Sequence, residues 1–162
     1  MQIARITCIR HFARALAFAA SNALAQQVAT PAMNAPNPAQ RDPALRPLFK
    51  VFGEKPGLVA IVNTAMNNLV ADRVTRPYFI NADRKHIKRE LVDQLCVIMD
   101  GPCTYSGLNM AQAHQGLKIT TAAFDAFVED FQRAMDKHHI PFHDQNQLLA
   151  RLAPMHQQIV TH

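Results

Sequence analysis

The spacing of apolar residues is the feature that most restricts how this chain can fold. In four segments apolar side chains recur every three or four positions, as on one face of an α-helix. No segment shows a convincing run of the alternation that is typical of strands. The spacing predicts helices over 57–72 and 83–99. Thr120 or Thr121 can cap a third helix, and Pro154 predicts a kink in a fourth, so we expect a small all-α domain.

Composition excludes several classes of protein. The chain has 162 residues, which predicts one domain, and 49% of them are hydrophobic, which excludes a wholly disordered protein. No run of about 20 apolar residues predicts a membrane span. The net charge of +5 comes mostly from residues 1–25, which contain three of the 17 basic residues and no acidic residue. The rest of the chain has 14 basic and 12 acidic residues, a net charge of only +2, so we expect neither a nucleic-acid partner nor stable membrane insertion.

The first 45 residues differ in composition from the rest of the chain. Residues 1–25 place arginines before an Ala/Leu/Phe stretch and end in Ala-Leu-Ala, the order found in a secretory signal peptide. This predicts a periplasmic or secreted protein. The alternatives for this segment are a disordered tail, a transit-like helix or a wrongly chosen start codon, and the alternative location is the cytoplasm. Residues 26–45 contain four prolines and predict a disordered linker, so the folded domain is expected over 46–162.

Histidine and cysteine clusters offer only weak candidates for a metal site. The string HHIPFH at 138–143 could chelate a metal, but Pro141 should scatter its three rings and no acid or cysteine completes the set. Cys96, Cys103 and His114 lack the paired C-x2-C spacing of structural zinc sites. His114 has a different setting, because a short helical turn precedes it and a glycine and an aromatic helix follow.

Six short sequence motifs in this chain resemble those of the group 1 truncated haemoglobins. The resemblance spans roughly 48–160, nearly all of the predicted domain, and it rests on the order and separation of the motifs rather than on any single one. They are GLVAIV at 57–62, ADRVTRPYF at 71–79, LVDQLC at 91–96, DGPCTYSG at 100–107, MAQAHQGLKIT at 110–120 and LLARLAPM at 148–155.

The resemblance implies a truncated globin-like 2-on-2 helical sandwich, in which two helix pairs stack around haem b. It implies that His114 is the proximal histidine, whose imidazole binds the iron. Core packing is the alternative interpretation for the aromatic side chains on the third helix, and both can hold because the porphyrin is part of the core. The family's other haem-contacting positions correspond here to Phe79, Ile87, Leu91, Tyr105, Met110, Ile119, Phe124 and Phe127.

Cationic side chains at the start of the second predicted helix are candidates for the haem propionates. They are Arg84, Lys85, His86 and Lys88. A solvated helix face is the alternative interpretation for each of them.

The distal side departs from the family. Many members have a tyrosine that donates a hydrogen bond to bound O2, and often a glutamine that helps it; here these positions hold Met66 and Leu91, with Ile87 nearest the ligand. The resemblance therefore implies an apolar distal pocket that stabilises O2 weakly, with Asn63 or Gln94 left open as donors. Met66 lines this pocket, or else its thioether binds the iron in a His/Met pair suited to electron transfer.

The family's paired-glycine motifs are also altered. Phe52-Gly53 and Asp100-Gly101 keep only the second glycine, so the conformation of both turns stays open.

Cys96 and Cys103 stand seven positions apart across the predicted end of a helix. This separation allows the Cα distance of 4.4–6.8 Å that a disulfide needs. An oxidising compartment favours the disulfide, and two reduced thiols are the alternative.

The function predicted from these residues is the binding of diatomic gases, O2, NO and CO, by a haem protein acting as carrier, scavenger or sensor. A haem enzyme, an NO dioxygenase or a weak peroxidase, is an alternative, although an apolar pocket disfavours both reactions. A haem-free helical interaction module is a third class. We expect a monomer or weak dimer, and the sequence identifies no redox partner.

Overall fold

The computed structural model describes residues 37–162, and every regular element in that range is helical. The predicted leader and most of the predicted linker lie outside the described residues. No helix in the described range is long and apolar enough to cross a membrane. The helices are α1 (Arg46–Val51), α2 (Glu54–Ala71), α3 (Arg76–Phe79), α4 (Arg84–Ile98), α5 (Met110–Ala113), α6 (Thr121–Lys137), α7 (Phe142–Leu152) and α8 (His156–Ile159), with 3-10 turns at Pro43–Leu45 and Ala153–Met155.

Helix α2 packs against both α4 and α6 and supplies one side of the core. Each of these three helices buries an apolar face of the kind that the sequence spacing predicts. Complete burial of one such Leu or Phe side chain contributes roughly 1.5–3 kcal/mol, so these faces hold the helices together. The innermost side chains include Leu58, Ile61, Leu95, Ile98, Phe131, Met135 and Leu148.

The helix boundaries follow from capping side chains and from proline. Asp83 accepts a hydrogen bond from the amide of His86, 3.0 Å away, and starts α4; Thr120 accepts from the amide of Ala123 at 3.2 Å and starts α6. Of the two predicted caps for this third helix, Thr120 is the one used. Pro154 has a larger effect than a kink, because the last predicted helix is interrupted by a 3-10 turn between α7 and α8.

The packed chain reaches back beyond residue 46. Residues 37–42, which we call the N-terminal strap, run along the domain; Pro38 and Ala39 are buried, and the amide of Asp42 donates to the carbonyl oxygen of Ile98 at 3.0 Å. Leu45, just after the strap, is part of the core. The ordered part of the domain therefore includes nine residues that the composition assigns to the linker.

The two cysteines of the described range form a disulfide. Cys96 and Cys103 are bonded with a Cα separation of 5.9 Å, which agrees with the disulfide interpretation rather than with two free thiols. Arg41 of the strap covers the loop that the disulfide closes. Its guanidinium donates to the carbonyl oxygens of Gly101 at 2.7 Å and Cys103 at 3.2 Å.

Both altered glycine motifs form turns with left-handed residues. Asp100 has φ of 56° where the family pattern expects a glycine, and Asp is one of the residues that tolerate this region best. In the other motif Gly53 takes φ of 75° while Phe52 keeps an ordinary value of −74°. The side chain of Asp100 accepts hydrogen bonds from Arg41 at 3.1 Å and Arg46 at 2.7 Å.

Candidate functional site

The predicted iron ligand, His114, follows directly after the one-turn helix α5. Its ring is half-buried, and Nδ1 lies 2.7 Å from the carbonyl oxygen of Met110. Burial lowers the pKa of His114, and the hydrogen bond to Met110 offsets only part of that effect. The imidazole is therefore neutral at pH 7, with Nδ1–H donating to the carbonyl and the lone pair on Nε2. No hydrogen bond to Nε2 occurs among residues 37–162.

This arrangement is the one that a metal-binding imidazole needs. A histidine ligand characteristically donates its other ring N–H to a carbonyl or carboxylate, which fixes the tautomer and the ring orientation. The local turn is held by Asn109, whose side chain accepts from the amide of Gln112 at 2.9 Å, and it ends near Gly116, which has φ of 78°. The hydrogen bonding of His114 therefore fits an imidazole that would bind the iron of a porphyrin.

The predicted haem-contacting residues fall into two groups by burial. Met66, Met110 and Ile119 are buried, with 5–8% of the surface of each residue exposed. The other predicted contacts are half-buried, and they are Phe79, Ile87, Leu91, Tyr105, Phe124 and Phe127. Their roles toward a haem stay a prediction, but their burial indicates where apolar surface is incompletely covered by protein.

The incomplete covering affects the same end of α4 and of α6. On α4 the apolar face is half-buried at Ile87 and Leu91 and fully buried from Leu95 onward. On α6 it is half-buried at Phe124 and Phe127 and fully buried later in the helix. A flat apolar group such as a porphyrin fits surfaces of this kind, because aliphatic and aromatic side chains are what it must contact.

The two amides considered as alternative distal donors are engaged elsewhere. Asn63 is exposed, and its oxygen accepts from Lys88 Nζ at 2.8 Å. Gln94 is buried, and its Nε2 donates to the carbonyl oxygen of Pro38 in the strap at 3.0 Å. The contact with Lys88 leaves the N–H groups of Asn63 as candidate donors, whereas Nε2 of Gln94 already donates to Pro38.

Three of the four predicted propionate partners are exposed, and the fourth, Lys88, is half-buried. Arg84, Lys85 and His86 are exposed, and Nδ1 of His86 lies 2.6 Å from Nη2 of Arg89. Both interpretations of this basic end of α4, a propionate site or a solvated helix face, therefore stay predictions.

Tyr105 is fixed within the loop between α4 and α5. Its hydroxyl donates to the carbonyl oxygen of Leu108 at 2.7 Å. Burial, and to a smaller extent the charge of Glu90, raises the pKa of Tyr105, so the phenol stays protonated as a donor. Gly107 allows this packing, since a Cβ there would lie 2.6 Å from the Tyr105 hydroxyl oxygen.

Two contacts near the site were not anticipated from the sequence. The ring of His156 on α8 packs edge-on against Phe124, with centroids 4.8 Å apart. Nε2 of Gln94 lies 3.9 Å from Sδ of Met110 and 3.6 Å from Sδ of Met155. Helical spacing places Gln94 on α4 but contains no signal that α5 and α8 meet it there.

The alternative metal candidates are engaged in other contacts. His138 pairs with Thr64 at 2.9 Å, and His143 pairs with Gln147 at 2.6 Å. The thiols of the second candidate set are consumed by the disulfide. Within the described part of the chain, no group of three or more His, Cys, Asp or Glu side chains is arranged to hold a metal ion.

A model of the bacterial-like globin family matches residues 47–161. The chain belongs to this family. Among curated relatives, the group 1 truncated haemoglobin of Tetrahymena thermophila is 31% identical over 83 residues, which cover 51% of this chain and 69% of that protein. The group 1 truncated haemoglobin GlbN of Mycolicibacterium paratuberculosis is 24% identical over 114 residues, covering 70% of this globin and 84% of the relative.

Solved structures confirm the truncated globin fold. The ferric truncated haemoglobin of Tetrahymena pyriformis matches with a TM-score of 0.67 and 22% identity, over 71% of this chain and 98% of that one. The 2/2 haemoglobin of Synechococcus sp. PCC 7002, solved in the cyanomet state with covalently attached haem, matches with a TM-score of 0.65 and 18% identity, over 70% and 97% of the two chains. The predicted 2-on-2 helical class is thus confirmed, and the haemoglobin relatives of this globin imply a haem cofactor.

Proposed function

We propose that this globin binds haem b and that Nε2 of His114 would bind the iron. The observation that carries the proposal is the hydrogen bond from Nδ1 of His114 to the carbonyl oxygen of Met110, because it presents the neutral Nε2 lone pair in a fixed orientation. When bound, the haem iron supplies a site for O2, NO or CO and the capacity for one-electron chemistry.

The chain's own residues hold such a group by shape and by polarity. The half-buried faces of α4 and α6, with Ile87, Leu91, Phe124 and Phe127, supply the apolar surface. The cationic start of α4 supplies charge for the two propionates at the solvent edge. Phe79 and Tyr105 complete the proposed set at the α3 corner and in the loop before α5.

The distal side of the proposed site is apolar. Met66 is buried, and Ile87 and Leu91 carry no hydrogen-bond donor. A donor to a polar iron-bound O2 would contribute about 1–3 kcal/mol, or roughly tenfold to a hundredfold in affinity. We therefore propose that O2 is held weakly and that CO and NO, which need less polar stabilisation, bind well.

Absorption spectra of the purified protein with haemin test the proposal. The wild type should give the Soret band of a histidine-ligated haem in its oxidised, reduced and CO-bound states. His114→Ala should lack this spectrum, and only added imidazole should restore it. The matched control is His143→Ala, since His143 is exposed and its ring pairs with the side chain of Gln147. A wild-type protein without a Soret band would favour the haem-free interaction module.

Acid extraction tests whether the haem is held without a covalent bond. Haem b in this globin should move entirely into the organic phase. In the Synechococcus protein the haem is covalently attached. Haem that stays with the protein would contradict non-covalent binding, and mass spectrometry of the wild type would then show the added mass.

The disulfide supports the proposal that the protein is exported. Disulfides form and persist in oxidising compartments, and Cys96 and Cys103 are bonded. A periplasmic or secreted location agrees with the composition of residues 1–25. Fractionation of the native cells, followed by N-terminal sequencing, tests it: the mature chain should begin after residue 25.

A further inference from the structure

Gln94 is a polar side chain in the buried half of α4. It is only 6% exposed, and it lies one turn after the half-buried position Leu91. A buried primary amide costs free energy unless it is hydrogen-bonded. Its Nε2 finds a single strong acceptor, the carbonyl oxygen of Pro38 at 3.0 Å.

The same nitrogen lies near two methionine sulfurs, one from α5 and one from the 3-10 turn before α8. Sδ of Met110 on α5 lies 3.9 Å away, and Sδ of Met155, next to α8, lies 3.6 Å away. Thioether sulfur is a weak acceptor, so the second N–H of the amide contributes orientation more than energy. Gln94 is therefore the point where α4, α5, the chain before α8 and the strap meet.

Met110 connects this point to the proposed iron ligand. Its side chain contacts Gln94, and its carbonyl oxygen accepts from Nδ1 of His114 at 2.7 Å. Helix α5 has only four residues, too few to hold its own geometry in water. The position of its first residue, Met110, thus decides where that carbonyl points.

The acceptor for Gln94 is itself held rigidly. Pro38 is buried, and the strap beyond it is tied to the domain by the amide of Asp42 and by the guanidinium of Arg41. Arg151 adds a contact to the side chain of Gln40 at 3.3 Å. The strap is thus a fixed part of the domain surface on which Gln94 can anchor.

We propose that Gln94 is a positioning residue for His114, acting through Met110 and anchored by the carbonyl group of Pro38. The bracket formed by Pro38, Gln94 and Met110 sets the orientation of the His114 ring and the strength of its Nδ1 hydrogen bond. This inference rests on the proposed function, because its effect on the iron requires that His114 be the ligand.

Gln94→Met tests the proposal, since methionine keeps the length and flexibility of the side chain and removes only the amide. In the ferrous protein the iron–histidine stretching band should shift or broaden. Haem transfer to an apomyoglobin acceptor should become about threefold to tenfold faster, as for loss of one buried hydrogen bond. Gln147→Met on the exposed side of α7 is the matched control and should change neither quantity.

A double-mutant cycle tests whether Gln94 acts on His114 through Met110. If Gln94 acts through Met110, the haem-loss rates of Gln94→Met and Met110→Leu should be strongly non-additive. Additive rates would contradict that route. An iron–histidine band and a haem-loss rate in Gln94→Met equal to those of Gln147→Met would overturn the proposal.

The haem-free protein separates this proposal from the proposed function. In the apoprotein, Gln94→Met should shift the NMR signals of the Met110 methyl group and of the His114 ring, whereas Gln147→Met should leave them in place. Unchanged signals would overturn the positioning role even if haem binds. Shifted signals in a protein that binds no haem would support the bracket and refute the haem function alone.

Discussion

The guanidinium of Arg41 lies 3.1 Å from the carboxylate of Asp100, and this ion pair joins the N-terminal strap to the turn that follows α4. Asp100 also receives a hydrogen bond from Arg46, and this contact is the larger of the two in holding the pKa of Asp100 below its ordinary value. Both arginines precede the disulfide loop in the chain and converge on the same side chain. The strap, the first helix and the disulfide loop are thereby linked through one carboxylate.

Asp100→Asn should lower the melting temperature of the protein at pH 7. A carboxyl group whose folded pKa is depressed stabilises the fold above its unfolded pKa and loses that effect as the pH falls through the folded value. The difference in melting temperature between wild type and variant should therefore shrink below about pH 4. Asn tolerates the left-handed backbone at this position, so the variant removes charge rather than conformation. Asp125→Asn, on the exposed side of α6, is the control; a difference that persists at low pH would argue against the charge.

Removal of the disulfide should destabilise the domain without changing its fold. Closing a loop of this length contributes about 2–3 kcal/mol in the chain-entropy view. Urea unfolding should show that loss in the wild type when a reductant is added, whereas Cys96→Ala/Cys103→Ala should not respond to the reductant. A wild-type midpoint that does not move on complete reduction would contradict the prediction.

Met66→Tyr should convert the proposed distal pocket into one with a hydrogen-bond donor. O2 dissociation should slow by roughly tenfold to a hundredfold, and autoxidation should slow with it. Stopped-flow replacement of O2 by CO measures the rate. Met66→Leu, which adds no donor, should leave the O2 rate within a small factor of the wild type. The same variant tests iron ligation by methionine, since a charge-transfer band lost in Met66→Leu would identify a His/Met pair.

Protonation of His114 should weaken haem binding in acid. Burial lowers the folded pKa of the ring, so the neutral state that binds iron is stable down to a pH below the ordinary histidine value of about 6.5. In the unfolded chain the same ring binds a proton near that value. The contribution to apoprotein stability is therefore present above about pH 6.5 and is lost as the pH falls toward the folded pKa. Haem-loss rates measured across this range should rise toward acid, and a rate independent of pH would contradict this assignment.

Asp130 should stabilise the corner that carries Phe79. Its carboxylate is 1% exposed, pairs with Arg133 and accepts from the hydroxyl of Thr75 at 3.3 Å. Asp130→Ala removes the buried carboxylate that pairs with Arg133 and the more distant of the two acceptors of the Thr75 hydroxyl, and it should cost about 1–3 kcal/mol in the free energy of unfolding. Glu129→Ala, which removes a contact of Arg133 at an exposed position, should cost much less. Equal costs in chemical denaturation would show that the buried position has no special weight.

Much of the fold could be predicted because each long helix carries its own local signals. Asp83 and Thr120 cap α4 and α6, and the apolar spacing follows the buried face. The strap could not be predicted, because its composition is that of a linker. It is held mainly by backbone groups of residues such as Asp42 and by the guanidinium groups of Arg41 and Arg151, and composition contains no signal for such contacts.

The candidate site was predicted in part for a similar reason. The His114 position follows from the resemblance, and its hydrogen bond to Met110 spans four residues and is local. The environment of Gln94 is set by the packing of α5 and of the chain before α8, which are distant in sequence. Its hydrogen bond to the carbonyl oxygen of Pro38 follows only from that packing.

The shortness of α5 has a consequence for how such a protein acquires and gives up its prosthetic group. One turn of helix can open without unpacking α2, α4 and α6, because its stability comes from a few contacts and not from a long hydrogen-bonded ladder. Haem uptake and release should therefore proceed through local opening at His114, the proposed iron ligand, while the rest of the domain keeps its shape. Newly made chains could then fold first and be loaded later, and a scavenger of haem could draw the group out of an otherwise native protein.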